Sequence, residues 1–263
     1  MNRASDSWPD LDTAWQSRSA SDEAELRQSS RDGTMHEELS VHPWHTRSRM
    51  TTEPQDMTDT ATRYLYLARH GEASADETTL TESCRRQAVL LGERLRNSPL
   101  SAIYHGPLPR AQQTAQLISA QLDAVPLHKS ELAGDYIPYL PTKKELPPDS
   151  AEAMLSFLAQ VPEEERNRGP ALAREALAEF TGPVDGDRPR HELVVTHNFL
   201  IGWLIRAALD APEWRWMGLN QSNAALTAIR YAPGRPSSVL FYNDMRHLPA
   251  ELRWSGFPPE LHI

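Results

Sequence analysis

The stretch Leu65-Tyr66-Leu67-Ala68-Arg69-His70-Gly71-Glu72 joins an apolar run to a cation, an imidazole and a glycine. The mixture of aromatic and aliphatic side chains from Tyr64 to Ala68 predicts a short buried strand. Gly71 lets the backbone turn where that strand ends. Arg69 and His70 are therefore predicted to lie at the carboxyl end of a strand, which is where ligands bind in open α/β sheets.

Two later stretches repeat this arrangement. Ser101 to Tyr104 predicts a second strand, and the turn His105-Gly106-Pro107-Leu108-Pro109 leads to Arg110 at the start of a helix over 111–122. An arginine there opposes the helix dipole, but it suits an anion held beside the exposed amides. The strand predicted from Glu192 to Thr196 likewise ends in His197-Asn198, just before a helix over 199–208.

The remaining elements complete an alternating α/β pattern. Thr81 is predicted to cap a helix that runs to Arg96. Apolar spacing and turn residues further predict a third strand over 125–127, helices from Asp149 and Ser150 to Leu158 and from about Pro170 to Phe180, and final strands over 224–231 and 238–242. The two helices within about 134–180 lie between core strands, so we interpret that segment as a cap insertion that selects the substrate.

Composition limits the possible functions. The 263 residues are 39% hydrophobic and 24% charged, which fits one catalytic domain with an additional segment. A formal net charge of -9 argues against a nucleic-acid or anionic-membrane partner. Cys84 is the single cysteine, which excludes an intrachain disulfide and a thiolate zinc cage. The single cysteine fits a reducing, cytoplasmic location, which we therefore expect. No run of apolar residues reaches the roughly 20 that a membrane span needs.

The first 62 residues differ from the rest in being polar and without sustained periodicity. Such a segment buries too little apolar surface to offset its chain entropy, so we predict that residues 1–62 are disordered. His36, His42 and His45 lie close together in this segment, but without a neighbouring cysteine they are interpreted as solvated loop residues. The ordered domain is expected to span residues 63–263.

Read together, Arg69-His70-Gly71-Glu72, Arg110 and Val194-Val195-Thr196-His197 resemble the histidine phosphatase superfamily, also called phosphoglycerate mutase-like. The resemblance covers the chain from about residue 63 onward. It implies a three-layer α/β/α sandwich with a mostly parallel central sheet and a small helical cap insertion.

The resemblance also implies roles for individual residues. His70 would be the nucleophile that accepts the phosphoryl group, while Arg69, Arg110 and His197 would line the phosphate pocket. Gly71 and Asn198 are expected to contribute to substrate binding. Physical chemistry supports this set, because a neutral imidazole can attack phosphorus and cations can neutralise the transferring oxygens. No metal or other cofactor is expected.

The general acid is left open by the sequence. The family has an acidic residue after the third strand, and Glu131 fits this position with one residue missing before Gly134, while Asp135 is the alternative. The sequence also departs from the family at Gly106, where the family often has serine, so a hydroxyl contact to phosphate would be absent. Cys84 stands where the family usually has glycine, and only packing is expected to change.

These observations favour a metal-independent phosphomonoester hydrolase. The short loop after Glu72 favours a phosphatase over a mutase, which would return the phosphoryl group to the same sugar acid. The other alternative is a catalytically silent module that recognises a phosphorylated partner. The expected substrate is a phosphorylated small molecule or a phosphoprotein, and the sequence does not indicate the oligomeric state.

Overall fold

A computed structural model describes residues 59–72, 79–257 and 262. Residues 1–58, for which disorder is predicted, lie outside the described residues, as do the three histidines among them. The prediction of disorder is wrong for residues 60 and 61, because Thr60–Ala61 form a strand (β1) that pairs with Val184–Asp185. This strand consists of backbone pairing over two residues, and so short an element has no sequence signature.

The strands of the described part are β1, β2 (Arg63–Arg69), β3 (Ala102–His105), β4 (Leu127–Lys129), β5 (Val184–Asp185), β6 (Arg190–Thr196), β7 (Leu226–Tyr231) and β8 (Ser238–Asp244). The α-helices are α1 (Glu82–Leu95), α2 (Pro109–Ser119), α3 (Ala151–Ala159), α4 (Glu163–Phe180) and α5 (Asn198–Ala208). Short 3-10 helices cover Glu131–Ala133, Lys143–Glu145, Glu213–Trp216 and Ala250–Leu252. None of the helices among these described residues is long and apolar enough to cross a bilayer.

The main sheet has the strand order β4-β3-β6-β2-β7-β8. Strands β4, β3, β6 and β2 pair in parallel, and β7 runs antiparallel to both β2 and β8. The predicted α/β class with a mostly parallel sheet is therefore confirmed. Because the parallel strands end at the same edge, the residues that follow β2, β3 and β6 are brought together.

Apolar side chains fill both faces of this sheet. On one face, Ala88 and Leu91 of α1 and Ile118 of α2 pack against Leu193 and Val195 of β6. The other face carries α4 and α5 over a second cluster, in which the central members are Leu65, Leu67, Val194, Phe180 and Leu204. The alternation of side chains along β2 and β6 supplies both clusters, which holds the carboxyl edge of the sheet rigidly between two helical layers.

Several element boundaries differ from those predicted, among them the starts of α2, β4 and α4. Helix α2 begins at Pro109, two residues before the predicted start, because proline is favoured in the first turn of a helix. Strand β4 covers Leu127–Lys129 instead of 125–127. Its position follows from parallel pairing with β3, in which Ile103 lies opposite Leu127 and His105 opposite Lys129. Such pairing is a tertiary property that local sequence does not contain.

Helix α4 begins at Glu163, seven residues before the predicted start, and contains Pro170 in its interior. Acidic residues fill its first turn, which favours a helix start there. Gly169 lies so close to the backbone of Ile137 that a Cβ atom would stand 2.1 Å from the Ile137 carbonyl oxygen. The end of α4 belongs to the core, since Phe180 is buried. The boundaries of the cap insertion stay a prediction.

Candidate active site

The carboxyl ends of β2 and β6 place two imidazoles side by side. Arg69, the last residue of β2, lies opposite Thr196, the last residue of β6. His70 and His197, the residues that follow the two strands, are therefore neighbours. The amide of His70 donates to the Thr196 carbonyl at 2.9 Å. The ring centroids of His70 and His197 are 4.6 Å apart.

Both ring nitrogens of His70 have defined partners. Nδ1 donates to the Gly71 carbonyl at 2.6 Å, which fixes the proton on that nitrogen. The Gly71 amide in turn donates to Oγ1 of Thr114 at 3.1 Å. Nε2 accepts a hydrogen bond from Nε of Arg110 at 3.2 Å. The nitrogen with the lone pair therefore faces a guanidinium group.

Arg110 connects the imidazole to a carboxylate. It lies in the first turn of α2, where Thr114 Oγ1 donates to its carbonyl at 2.7 Å. Its Nη2 donates to Oδ2 of Asp135 at 2.9 Å, and the same oxygen lies 3.4 Å from Nδ1 of His197. Asp135 is partly exposed, whereas Arg110 and His197 are buried. The carboxylate therefore stands at the entrance to the pair of imidazoles.

Arg69 is held by carbonyl oxygens from two distant segments. Its Nη1 donates to the carbonyl of Gln221 at 2.8 Å and to that of Gly256 at 3.2 Å. Its own carbonyl accepts from the amide of Ala224 at 2.9 Å. The guanidinium group is thus fixed at the end of β2 by residues far away in the sequence.

Burial and neighbouring cations keep both imidazoles neutral. Desolvation is the largest cause that lowers the pKa of His70 well below its ordinary value, and His197, Arg69 and Arg110 lower it further. Desolvation also lowers the pKa of His197 strongly, followed by the effects of Arg110 and Arg69. A neutral imidazole between two guanidinium groups can act as a nucleophile toward an anionic electrophile.

Comparison with known proteins identifies the family of this chain. The family model described as "Histidine phosphatase superfamily (branch 1)" matches residues 65–244, which is more than half of the chain. The chain belongs to the histidine phosphatase superfamily. The match includes His70, Arg110, Asp135 and His197, and it ends before the last described residues of the chain.

Several curated relatives are similar to this chain. "Serine/threonine-protein phosphatase Pgam5, mitochondrial" of Caenorhabditis briggsae is 29% identical over 196 residues, which cover 72% of this chain and 65% of the relative. The human protein of the same printed name is 26% identical over 201 residues, covering 73% and 65%. The chain thus spans less than two thirds of their length. "Probable phosphoglycerate mutase GpmB" of Yersinia pestis is 25% identical over 183 residues, covering 64% and 84%.

Several solved structures share the fold of this chain. "Mycobacterial hydrolase 1" aligns with a TM-score of 0.51 at 23% identity, covering 69% of this chain and 98% of that chain. "Mycobacterial hydrolase 2" aligns with the same TM-score and identity, covering 73% and 95%. The names of the two serine/threonine-protein phosphatases describe those proteins as mitochondrial. The cytoplasmic location that the sequence leads us to expect for this chain stays a prediction.

The two acid candidates lie in different surroundings. Asp135 reaches Arg110 and His197, as described above. Glu131 turns away toward Arg168 of α4, with 3.7 Å between Oε2 and Nη2, and its side chain is 55% exposed. The sequence did not distinguish them, because Glu131 lies in a 3-10 helix whose orientation depends on tertiary contacts. The structure brings Asp135, and not Glu131, to the pair of imidazoles.

Asn198 and Gly71 have contacts within the protein. The Asn198 amide donates to Oδ1 of Asn220 at 2.7 Å and accepts from the backbone amide of Gln221 at 2.8 Å. The Asn198 side chain thus fixes the segment that holds Arg69, and a substrate contact of Asn198 stays a prediction. Gly71 packs against Cys84, since a Cβ atom at position 71 would lie 2.7 Å from the Cys84 Cβ.

The absence of a serine at position 106 has a structural reason. A Cβ atom on Gly106 would lie 2.4 Å from the carbonyl oxygen of Ala133 and 3.2 Å from Nε2 of His197. The same carbonyl accepts from Oγ1 of Thr196 at 2.8 Å. The segment that carries Asp135 therefore lies directly over Gly106, and the glycine permits this close approach.

Two residues that support the site had no role assigned from the sequence. Thr114 bridges Gly71 to Arg110, and buried Gln221 supplies a carbonyl to Arg69. Thr114 lies four residues after Arg110, one helical turn away, so this spacing was the available signal. Nothing near Gln221 in the sequence indicates its contact with β2. Among residues 59–72, 79–257 and 262, no cluster of three or more His, Cys, Asp or Glu side chains could hold a metal ion.

Proposed function

We propose that this histidine phosphatase hydrolyses phosphate monoesters through a covalent phosphohistidine on His70. The observation that carries the proposal is the neutral, buried imidazole of His70, whose Nδ1 proton is held by Gly71 and whose Nε2 faces Arg110. This is the protonation state and orientation that attack on phosphorus requires. The local cations supply the anion binding that the overall charge of -9 does not.

In the first step, the Nε2 lone pair attacks phosphorus and the bond from phosphorus to the ester oxygen breaks. The phosphoryl oxygens accept hydrogen bonds from the guanidinium groups of Arg69 and Arg110, which stabilise the charge spread over the transferring group. His197 has no hydrogen-bond partner for Nε2 among the described residues, so this nitrogen can contact a phosphoryl oxygen.

The leaving oxygen needs a proton, and Asp135 is positioned to deliver it. Its carboxyl group lies beside both Arg110 and His197, at the exposed end of the cluster. In this step Asp135 acts as a carboxylic acid, and its proton passes to the ester oxygen as the bond to phosphorus breaks. After the leaving group departs, the same carboxylate can accept a proton from water, which attacks the phosphohistidine and releases inorganic phosphate.

Similarity to the serine/threonine-protein phosphatases makes phosphoserine and phosphothreonine peptides the first substrates to test. The exposed position of Asp135 supports this choice, because a side chain on a peptide can approach the site from that end. The location expected for this activity is cytoplasmic.

The test is release of inorganic phosphate from an aryl phosphate and from phosphopeptides by the purified chain with excess chelator. Release by the unaltered chain that is lost with His70→Ala supports the proposal. Conversion of one phosphoglycerate isomer into another without release of phosphate would indicate a mutase. Binding of phosphate without turnover of any substrate would indicate a silent binding module.

A further inference from the structure

The carboxyl-terminal segment from Leu252 to Phe257 contacts the phosphate pocket, although it lies beyond residue 244, where the family match ends. The carbonyl of Gly256 accepts a hydrogen bond from Nη1 of Arg69 at 3.2 Å. Together with the carbonyl of Gln221, it satisfies both protons of that nitrogen. Two acceptors on one terminal nitrogen fix the plane of a guanidinium group.

The same segment is fastened to the body of the domain at two further points. Buried Gln87 of α1 donates through Nε2 to the Leu252 carbonyl at 2.6 Å and to Oγ of Ser255 at 2.8 Å. The amide of Asn223 donates to the Ser255 carbonyl at 2.9 Å. Because Ala224, the next residue, donates to the Arg69 carbonyl, the attachment through Asn223 leads back to Arg69, whereas the attachment through Gln87 joins the segment to α1.

Packing around Gly256 leaves no space for a larger residue. Its φ angle is +82°, and a Cβ atom would lie 2.8 Å from Nη1 of Arg69 and 2.8 Å from Oδ1 of Asn223. Asn223 is 3% exposed, so its side chain has little freedom to move aside. A methyl group at position 256 must therefore displace either the segment or the Arg69 guanidinium group.

We infer that the segment from Leu252 to Phe257 is a positioning element for Arg69, with the Gly256 carbonyl as its contact and Gln87 as its anchor. This inference rests on the proposed function, because it assigns Arg69 to phosphate binding. The positions of charged groups around a transferring phosphoryl determine affinity and rate, and a shift of about 1 Å is costly. The chain thus uses residues outside the shared family region to complete its phosphate pocket.

The test compares Gly256→Ala with Gly234→Ala in the full chain. Gly234 also has a positive φ angle, +65°, but no atom lies within 4 Å of its Cβ position. It lies between β7 and β8, at the end of the sheet opposite the site. The two substitutions therefore impose a similar backbone strain, and only the first disturbs Arg69.

The probe is inorganic phosphate, and its affinity is measured from the rise in Tm with phosphate concentration. We expect Gly256→Ala to weaken phosphate binding by about tenfold, the loss typical of one charge-assisted hydrogen bond. Gly234→Ala should bind phosphate as the unaltered chain does. With an aryl phosphate, Gly256→Ala should raise KM more than it lowers kcat, a pattern that a general loss of stability would not produce.

Ser255→Ala is the second variant, in case Gly256→Ala does not fold. It removes one acceptor of Gln87 without adding an atom, and Gln87 still donates to Leu252. A weaker affinity for phosphate with an unchanged Tm in the absence of phosphate would support the inference. Unaltered phosphate affinity in folded Gly256→Ala, or in Ser255→Ala where Gly256→Ala does not fold, would overturn the inference alone. Failure of the unaltered chain to bind phosphate would overturn the proposed function and this inference together.

Discussion

The guanidinium group of Arg110 donates from Nε to Nε2 of His70 at 3.2 Å and from Nη2 to Oδ2 of Asp135 at 2.9 Å. One arginine thus holds both the proposed nucleophile and the proposed acid. A phosphate dianion is a stronger hydrogen-bond acceptor than a neutral imidazole nitrogen. An incoming substrate would therefore replace Nε2 of His70 as the acceptor for Nε of Arg110. Binding would then free the lone pair of Nε2 next to phosphorus.

The role of Asp135 predicts a dependence on the leaving group. Asp135→Asn should lower kcat by roughly 10²–10⁴-fold for an alkyl phosphate, whose leaving oxygen needs a proton. An aryl phosphate with an acidic leaving group should be affected much less. The measurement is kcat for a series of esters that differ in the pKa of the leaving alcohol.

Glu131→Gln is the matched control for Asp135→Asn. Glu131 is largely exposed and lies near Arg168, so its replacement should leave kcat for every ester nearly unchanged. An equal loss for alkyl and aryl phosphates in Asp135→Asn would contradict the assignment. A selective loss for alkyl phosphates in Glu131→Gln would transfer the acid role to Glu131.

Gly106 provides a test of how the Asp135 segment is placed. Gly106→Ala should push the Ala133 carbonyl away, because the new Cβ atom would lie 2.4 Å from it. Asp135 lies two residues later, so kcat for alkyl phosphates should fall. Gly106→Ser should show the same loss, since its hydroxyl cannot be accommodated without the same displacement. Wild-type kinetics in Gly106→Ser would show that the segment yields without cost.

The lowered pKa of His70 predicts the pH dependence of the reaction. Attack requires the neutral imidazole, so protonation of His70 abolishes activity once pH falls below the pKa of His70 in the folded protein. Because burial and cations lower this pKa well below 6.5, kcat/KM should persist as pH falls through 6.5 and decline only at lower pH. An acidic limb at or above pH 6.5 would contradict this prediction.

The substrate itself titrates near pH 6, as phosphate monoesters do. The profile is therefore measured with two aryl phosphates that differ in their second pKa. A limb that belongs to His70 stays at the same pH with both esters, whereas a limb that belongs to the substrate moves. Arg110→Gln should shift a His70 limb to higher pH, because it removes one of the cations that lower the pKa.

The sequence predicted the parts of the fold that local chemistry determines. Apolar runs followed by Arg69-His70 and by His197 identified the strand ends, and the parallel sheet brings these residues together as expected. The position of β4 was predicted wrongly, because its pairing with β3 is a tertiary contact. The start of α4 was also predicted wrongly, although the acidic residues of its first turn were a local signal for it.

The site was predictable only in its central residues. Asp135 could not be separated from Glu131, because the orientation of a short 3-10 helix depends on Thr196 and Gly106 from other strands. The carbonyls that hold Arg69 come from Gln221 and Gly256, 152 and 187 residues away in the sequence. Backbone acceptors have no side-chain signature, so contacts of this kind become visible only in the folded chain.

The central claim is that His70 carries the phosphoryl group. The most direct measurement is to mix the chain with a substrate in excess chelator, quench within a single turnover and map the phosphorylated peptide. We predict an acid-labile, alkali-stable phosphoryl group on the peptide that contains His70, absent from His70→Ala. Turnover that survives in His70→Ala, or a phosphoryl group on another residue, would contradict the account.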